Sequence, residues 1–213
     1  MPAYPNKNDY IRDLFASETP ALKKIRDSIT DKNDQIIIDP EEGKLLQMLA
    51  RMIGAVTIVE IGALAGYSTL WMAGALPPGG SITTIEKDPR RAAMARANLA
   101  PYKNITLHEG AAMDVLPTLQ PAAPFDMVFI DADKLNYLHY LDWAEKNIRK
   151  GGLIVGDNTL LFDAVWSDKI PDNVRQTALA AMRAFNQRLS DPEKYTSILL
   201  PTAEGMTIAV KNF

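Results

Sequence analysis

The chain has 213 residues, 47% of them hydrophobic, with a net charge of -3 and a pI of about 5.4, which suits one globular domain over residues 1–213 and argues against nucleic acid as the main partner. It has no cysteine, so it has neither a disulfide framework nor a thiolate metal site. No apolar run approaches the ~18 residues of a membrane span, and the N-terminus MPAYPNKNDY lacks the apolar centre of a signal peptide, so a cytoplasmic protein is the default expectation.

Residues 1–8 are polar with two prolines and read as a loose arm. A short helix is expected from Asp9 to Ser17. Thr19 and Pro20 then open a second helix as cap and first residue, with Leu22, Ile25 and Ile29 on one face. Asp31 to Asp34 is a polar turn and Gln35 to Ile38 is extended. Asp39-Pro40-Glu41-Glu42 starts a third helix, buried through Leu45, Leu46, Leu49, Met52 and Ile53 and ended by Gly54. Residues 1–54 thus form a helical cap on a core over 55–213.

Strands and helices alternate from there. Strand 56–61 precedes helix 67–76, strand 81–86 precedes helix 89–99, and strand 104–108 precedes a short helix over 111–119. Phe125 to Ile130 is a continuous apolar run, as in a strand covered on both faces. A helix over 136–149 and a turn at Lys150-Gly151-Gly152 lead to strand 153–156. A helix over 172–189 and strands 195–200 and 206–210, joined by a hairpin-like loop, close the chain. This order predicts an α/β fold: a mostly parallel sheet with helices on both faces and extra helices at the N-terminus.

Val59 to Thr69, VEIGALAGYST, is a strand, a glycine turn and a helix start, which is where open α/β sheets bind nucleotides. Its glycines, Gly62 and Gly66, match neither a P-loop nor the dinucleotide spacing. Glu86, at the end of the second strand, can take the two hydroxyls of a ribose. Acids also end other strands: Glu60 the first, Asp131 and Asp133 the fourth, Asp157 with Asn158 the fifth. Asp131, Asp157 and Asn158 supply three hard oxygen donors suited to Mg²⁺ completed by water. Helix capping accounts for Asp133 or Asp157 singly, but not for the whole set. Lys134 falls in a helix's first turn, where the dipole disfavours a cation, and that misfit favours a functional role. The histidines, His108 and His139, do not fall at suitable strand ends, and His139 is expected to pack or hydrogen-bond within its helix.

VEIGALAGYST (59–69), FIDADKLNY (129–137) and GGLIVGDNTL (151–160), occurring in this order, resemble the cation-dependent O-methyltransferases that use S-adenosylmethionine. That group includes caffeoyl-CoA O-methyltransferase and, more distantly, catechol O-methyltransferase, and the resemblance runs from about Tyr10 to the C-terminus. It implies a Rossmann-like class I methyltransferase fold with a seven-stranded sheet whose last strand is antiparallel. It also implies roles. Glu60, Gly62, Ala63 and Ser68 match positions lining the methionine part of the cofactor, and Glu86 matches the ribose carboxylate. Ala112 matches the adenine contact, and Ile38 and Asp133 match further cofactor contacts. Asp131, Asp157 and Asn158 match the ligands of Mg²⁺ or Mn²⁺, with Ca²⁺ as a crystallographic stand-in, and Lys134 matches the general base. Asp131, Phe162 and Trp166 are expected to meet the acceptor. The implied partners are a small phenolic acceptor and a second copy of the chain, with no nucleic acid or membrane.

The plant caffeoyl-CoA enzymes carry Trp-Asn where this chain has Leu161-Phe162, which removes a polar acceptor contact. The expected activity is Mg²⁺-dependent methylation of a catechol-type hydroxyl on a phenylpropanoid, caffeoyl or flavonoid-like acceptor. Three other readings stay open on the residues alone. They are a metal-independent methyltransferase on another substrate class, an NAD-dependent oxidoreductase on a similar fold, and a non-catalytic binding module on the same scaffold.

Overall fold

The computed structural model describes residues 3–213. Positions 1 and 2 of the expected arm lie outside the described residues. The arm is short, because α1 (Lys7–Phe15) starts two residues earlier than expected, where the Asn6 side chain accepts a hydrogen bond from Asp9 N–H at 3.0 Å. Helices α2 (Pro20–Asp27) and α3 (Pro40–Met52) follow, each with proline in its first turn. At α3 the Glu42 side chain accepts from Asp39 N–H at 2.8 Å, closing a capping box.

The sheet has seven strands: β1 (Thr57–Ile61), β2 (Ser81–Glu86), β3 (Ile105–Glu109), β4 (Phe125–Ile130), β5 (Ile148–Asp157), β6 (Tyr195–Leu200) and β7 (Met206–Lys211). Their order across the sheet is β3-β2-β1-β4-β5-β7-β6. The first five are parallel, and β7 runs antiparallel between β5 and β6. The chain winds outward from β1 through β2 to β3 and then returns to β4 on the other side of β1. The switch point therefore lies between the carboxyl ends of β1 and β4, where open α/β sheets form their crevice.

Alternate side chains of each strand feed two cores. Val59, Ile61, Val128, Ile130 and Ile154 pack on the face covered by α6 (Ala112–Leu119), α7 (Tyr137–Asn147) and α8 (Gln176–Leu189). Ile58, Met127, Phe129, Leu153 and Val155 pack on the other face, under α2, α3 and α4 (Tyr67–Ala73). Helix α5 (Pro89–Leu99) closes a smaller cluster of Ala63, Ala95 and Leu99. Among the described residues no helix is long and apolar enough to cross a membrane.

Several expected boundaries move. Helix α7 stops at Asn147 and β5 begins at Ile148, so Lys150-Gly151-Gly152 belongs to the strand. Ile148 pairs with Phe125 before a register shift, and Arg149 is drawn into the strand by Asp126, which its Nε reaches at 2.6 Å. Gly151, at φ 74°, absorbs the irregularity. Helix α8 starts at Gln176 and not at 172, because Val174 N–H is held in a turn by the carbonyl of Pro171 at 2.9 Å. His139 is exposed on α7 and is not packed as expected.

Candidate active site at the carboxyl edge of the sheet

The turn after β1 is shaped by close approach. Gly62 has φ 103°, and a Cβ there would lie 2.0 Å from the Asp131 carbonyl oxygen, so only glycine fits between β1 and β4. Its N–H donates to the Ile85 carbonyl at 2.9 Å, while Asp131 N–H donates to Ile61 at 2.9 Å. These contacts place the ends of β1, β2 and β4 side by side.

A cavity of about 580 Å³ opens over them. Of the residues singled out in the sequence, Ile38, Gly62, Glu86, Ala112, Asp131, Asp133, Lys134, Asp157, Asn158 and Phe162 line it. Glu60, Ala63, Ser68 and Trp166 do not. Glu60 lies beneath the glycine turn, fully buried, and accepts hydrogen bonds from the hydroxyls of Ser68, Thr69 and Thr84, the last at 2.6 Å. Burial pushes its carboxyl up to about 7, against the pull of the hydroxyls and with a further push from Asp131. Ala63 is buried against α5. Trp166 is 69% exposed, its indole N–H donating to Asp163 Oδ1 at 3.0 Å.

At the end of β2, Glu86 accepts from Leu64 N–H at 2.8 Å and from Asp88 N–H at 2.9 Å while still lining the cavity. A carboxylate has acceptor capacity beyond two bonds, so it can also receive ligand hydroxyls. Asp133 accepts from Tyr140 O–H at 2.7 Å, and Lys87 Nζ lies 3.7 Å away.

Toward β5 the arrangement differs. Asp157 is 3% exposed and its Oδ1 has no hydrogen-bond partner. Burial pushes its carboxyl up to about 8, with Asp131 and then Glu42 adding to the push. Asn158 sits beside it at φ 53°, its Nδ2 3.5 Å from Asp157 Oδ2. Among the described residues no three His, Cys, Asp or Glu side chains converge to hold a metal by themselves. Here the third donor would be the Asn158 amide oxygen. Two carboxylates, one of them with a buried oxygen lacking any donor, and an amide oxygen fit a hard divalent cation.

Lys134 reaches into the same corner. Its Nζ lies 3.3 Å from Asp131 Oδ1, 2.6 Å from Tyr137 Oη and 3.2 Å from the Asp157 carbonyl, and 4.6 Å from the Tyr137 ring centre. Tyr137, fully buried, donates toward the Asp157 carbonyl at 2.8 Å and bridges to Ile130 at 3.0 Å. Burial, Asp131 and Asp157 push its phenol well above the usual range.

From sequence alone Tyr137, Tyr140 and Arg91 carry no site role, and Glu42 is only a first-turn acid of its helix. Tyr137 stands three residues after Lys134, the spacing that puts two side chains on one helical face, and that signal could have found it. Arg91 lines the cavity and its Nε donates to buried Asp34 at 2.9 Å, which ties the turn at Lys32–Asp34, just before the extended stretch to Ile38, to α5, a pairing across distant segments that no local pattern announces.

The fold and this edge together define a Rossmann-like class I methyltransferase scaffold. The family model for O-methyltransferases matches residues 12–212, and the chain belongs to that family. It is 37% identical to a catechol O-methyltransferase of Niastella koreensis, covering 97% of each chain. Among solved structures, the O-methyltransferase TomG from Streptomyces achromogenes, in complex with SAM, superposes with a TM-score of 0.86 at 35% identity, covering 97% of this chain and 96% of that one. An O-methyltransferase from Bacillus cereus in complex with SAH gives 0.85 at 30% identity, covering 96% of each. Family membership decides against the NAD-dependent oxidoreductase.

Proposed function

We propose that the protein transfers a methyl group from S-adenosylmethionine to one hydroxyl of a catechol-type small molecule, with a divalent cation held by Asp131, Asp157 and Asn158. The observation that carries this reading is the buried, unpartnered Oδ1 of Asp157 in the same cavity as Glu86 and Lys134. The relatives named above support the donor and the acceptor class.

S-adenosylmethionine supplies an activated methyl as a sulfonium. A bound divalent cation supplies a Lewis acid that lowers the pKa of an acceptor hydroxyl. The chain's own residues do the rest. Glu86 receives the ribose hydroxyls, and the glycine turn at Gly62 lets the donor lie against backbone. Ile38 and Ala112 form apolar walls beside it. Leu161 and Phe162 offer an apolar surface to an aromatic acceptor. Lys134 Nζ would take the proton that the acceptor hydroxyl must lose when its oxygen receives the methyl group. The ammonium so formed finds Asp131 Oδ1, Tyr137 Oη and the Asp157 carbonyl as acceptors.

Incubation with S-adenosylmethionine, catechol and Mg²⁺ should give O-methylated catechol and S-adenosylhomocysteine in equal amounts. EDTA should stop the reaction and added Mg²⁺ restore it. Full activity in EDTA, or no methylated catechol with Mg²⁺, would overturn the reading.

A further inference from the structure

The segment after Asn158 has a strained backbone. Asn158, Leu161, Phe162 and Asp163 all lie in the left-handed region, at φ 53°, 50°, 53° and 63°. Asparagine and aspartate tolerate that region, but leucine and phenylalanine rarely adopt it. Such conformations persist only where the surroundings hold them.

The β6–β7 loop holds this one. Thr159 N–H donates to the Gly205 carbonyl at 2.9 Å, and Leu160 N–H to the Glu204 carbonyl at 2.8 Å. Gly205 itself has φ 78°, and a Cβ there would meet Leu160 Cγ at 2.5 Å, so the two loops touch as closely as backbone allows. These backbone bonds stop at Leu160. The next N–H facing this loop is that of Phe162, and it donates to the Glu204 carboxylate, at 2.8 Å from Oε2. Glu204 and its neighbour Ala203 also line the cavity beside Phe162.

Thr159 is fixed independently. Asn186 Nδ2 donates to its carbonyl at 2.8 Å and Thr207 O–H to its hydroxyl at 2.9 Å. Asn158 therefore stays in place without Glu204. The Leu161–Asp163 turn has bonds of its own at its ends, Leu161 N–H to the Asn158 carbonyl at 3.2 Å and Ala164 N–H to the Leu161 carbonyl at 3.0 Å, and at its centre the Phe162 N–H is held by the Glu204 carboxylate.

We propose that Glu204 is a positioning residue that holds the left-handed turn at Phe162 and thereby sets the wall against which the acceptor ring lies. The acceptor part rests on the function proposed above; the turn geometry does not. The carboxylate acts as a hydrogen-bond acceptor for one backbone N–H, so an amide oxygen at the same reach can replace it.

Two readouts test this on the intact protein: amide hydrogen exchange at Phe162 by NMR, and steady-state kinetics with catechol. In Glu204→Ala the Phe162 amide should exchange about tenfold faster or more, as loss of one charge-assisted hydrogen bond implies. Its KM for catechol should rise by a similar factor, with kcat and the KM for S-adenosylmethionine within about threefold of the parent. Glu204→Gln should restore both readouts. If Glu204→Ala does not fold, Glu204→Leu keeps the bulk, lacks an acceptor and serves in its place. Parental exchange and catechol KM in the acceptor-less variant would overturn the proposal, as would equal losses in Glu204→Gln. If the parent protein methylates no catechol, the functional reading fails, and amide exchange alone still decides the role of Glu204 in the turn.

Discussion

The two ends of the cavity treat their acids differently. At the β1–β2 end each buried carboxylate has its donors. Glu60 has three hydroxyls and Glu86 has two backbone N–H groups. At the β5 end Asp157 keeps an oxygen with no donor, and the backbone beyond it runs through four left-handed residues. The first end is complete as it stands and preorganises a pocket. The second carries a buried polar atom that costs free energy until a ligand meets it. A satisfied buried acid shapes a scaffold, and an unsatisfied one marks where a ligand's charge belongs.

Substitutions at each end should therefore fail in different ways. Lys134→Ala should have the largest effect, a loss on the order of 10²–10⁴ in kcat, the usual share of a general acid or base, with binding of S-adenosylmethionine retained. Stopped assays beside calorimetry check it, and a loss of cofactor affinity instead would erase the contrast. Gly62→Ala should strike the fold, because its Cβ would collide with the Asp131 carbonyl. A loss on the order of 3 kcal/mol in chemical denaturation is expected, combining the unfavourable φ with displacement of β4. Glu86→Ala should be smaller, about 1.5–3 kcal/mol of S-adenosylmethionine affinity by calorimetry. Unchanged affinity would mean that Glu86 serves only Leu64 and Asp88.

The same division explains what the sequence disclosed. The β1–β2 end is local: strand, glycine turn and helix follow one another within VEIGALAGYST, and strand periodicity reveals the sheet. The acids at the ends of β4 and β5 were readable once strands could be counted. The enclosure of Glu60 was not, since it too is a strand-end acid and its hydroxyl partners come from two other elements. The Arg149–Asp126 pair that pulls residue 148 into β5, and the Glu204 carboxylate on Phe162 N–H, join segments far apart in the chain. Neither leaves a local periodic trace. Trp166 is expected at the acceptor because it follows the polar site at Asn158, yet it is absent from the cavity lining and its indole N–H donates to Asp163.

Asp157 links both the stability of the metal-free protein and the expected metal binding to pH. Its folded pKa, about 8, lies above the ordinary carboxylate value. In metal-free protein its contribution to stability is therefore present in acid and lost as pH rises through about 8. Metal binding needs the carboxylate and so has the opposite slope. The most direct measurement is Mn²⁺ binding, followed by electron paramagnetic resonance in the presence of S-adenosylmethionine, from pH 6 to 9. One ion per chain is expected, with affinity falling by up to about tenfold per unit as pH drops below about 8, and no binding at this site in Asp157→Ala. Equal Mn²⁺ binding by Asp157→Ala, or none by the parent protein at pH 9, would contradict it.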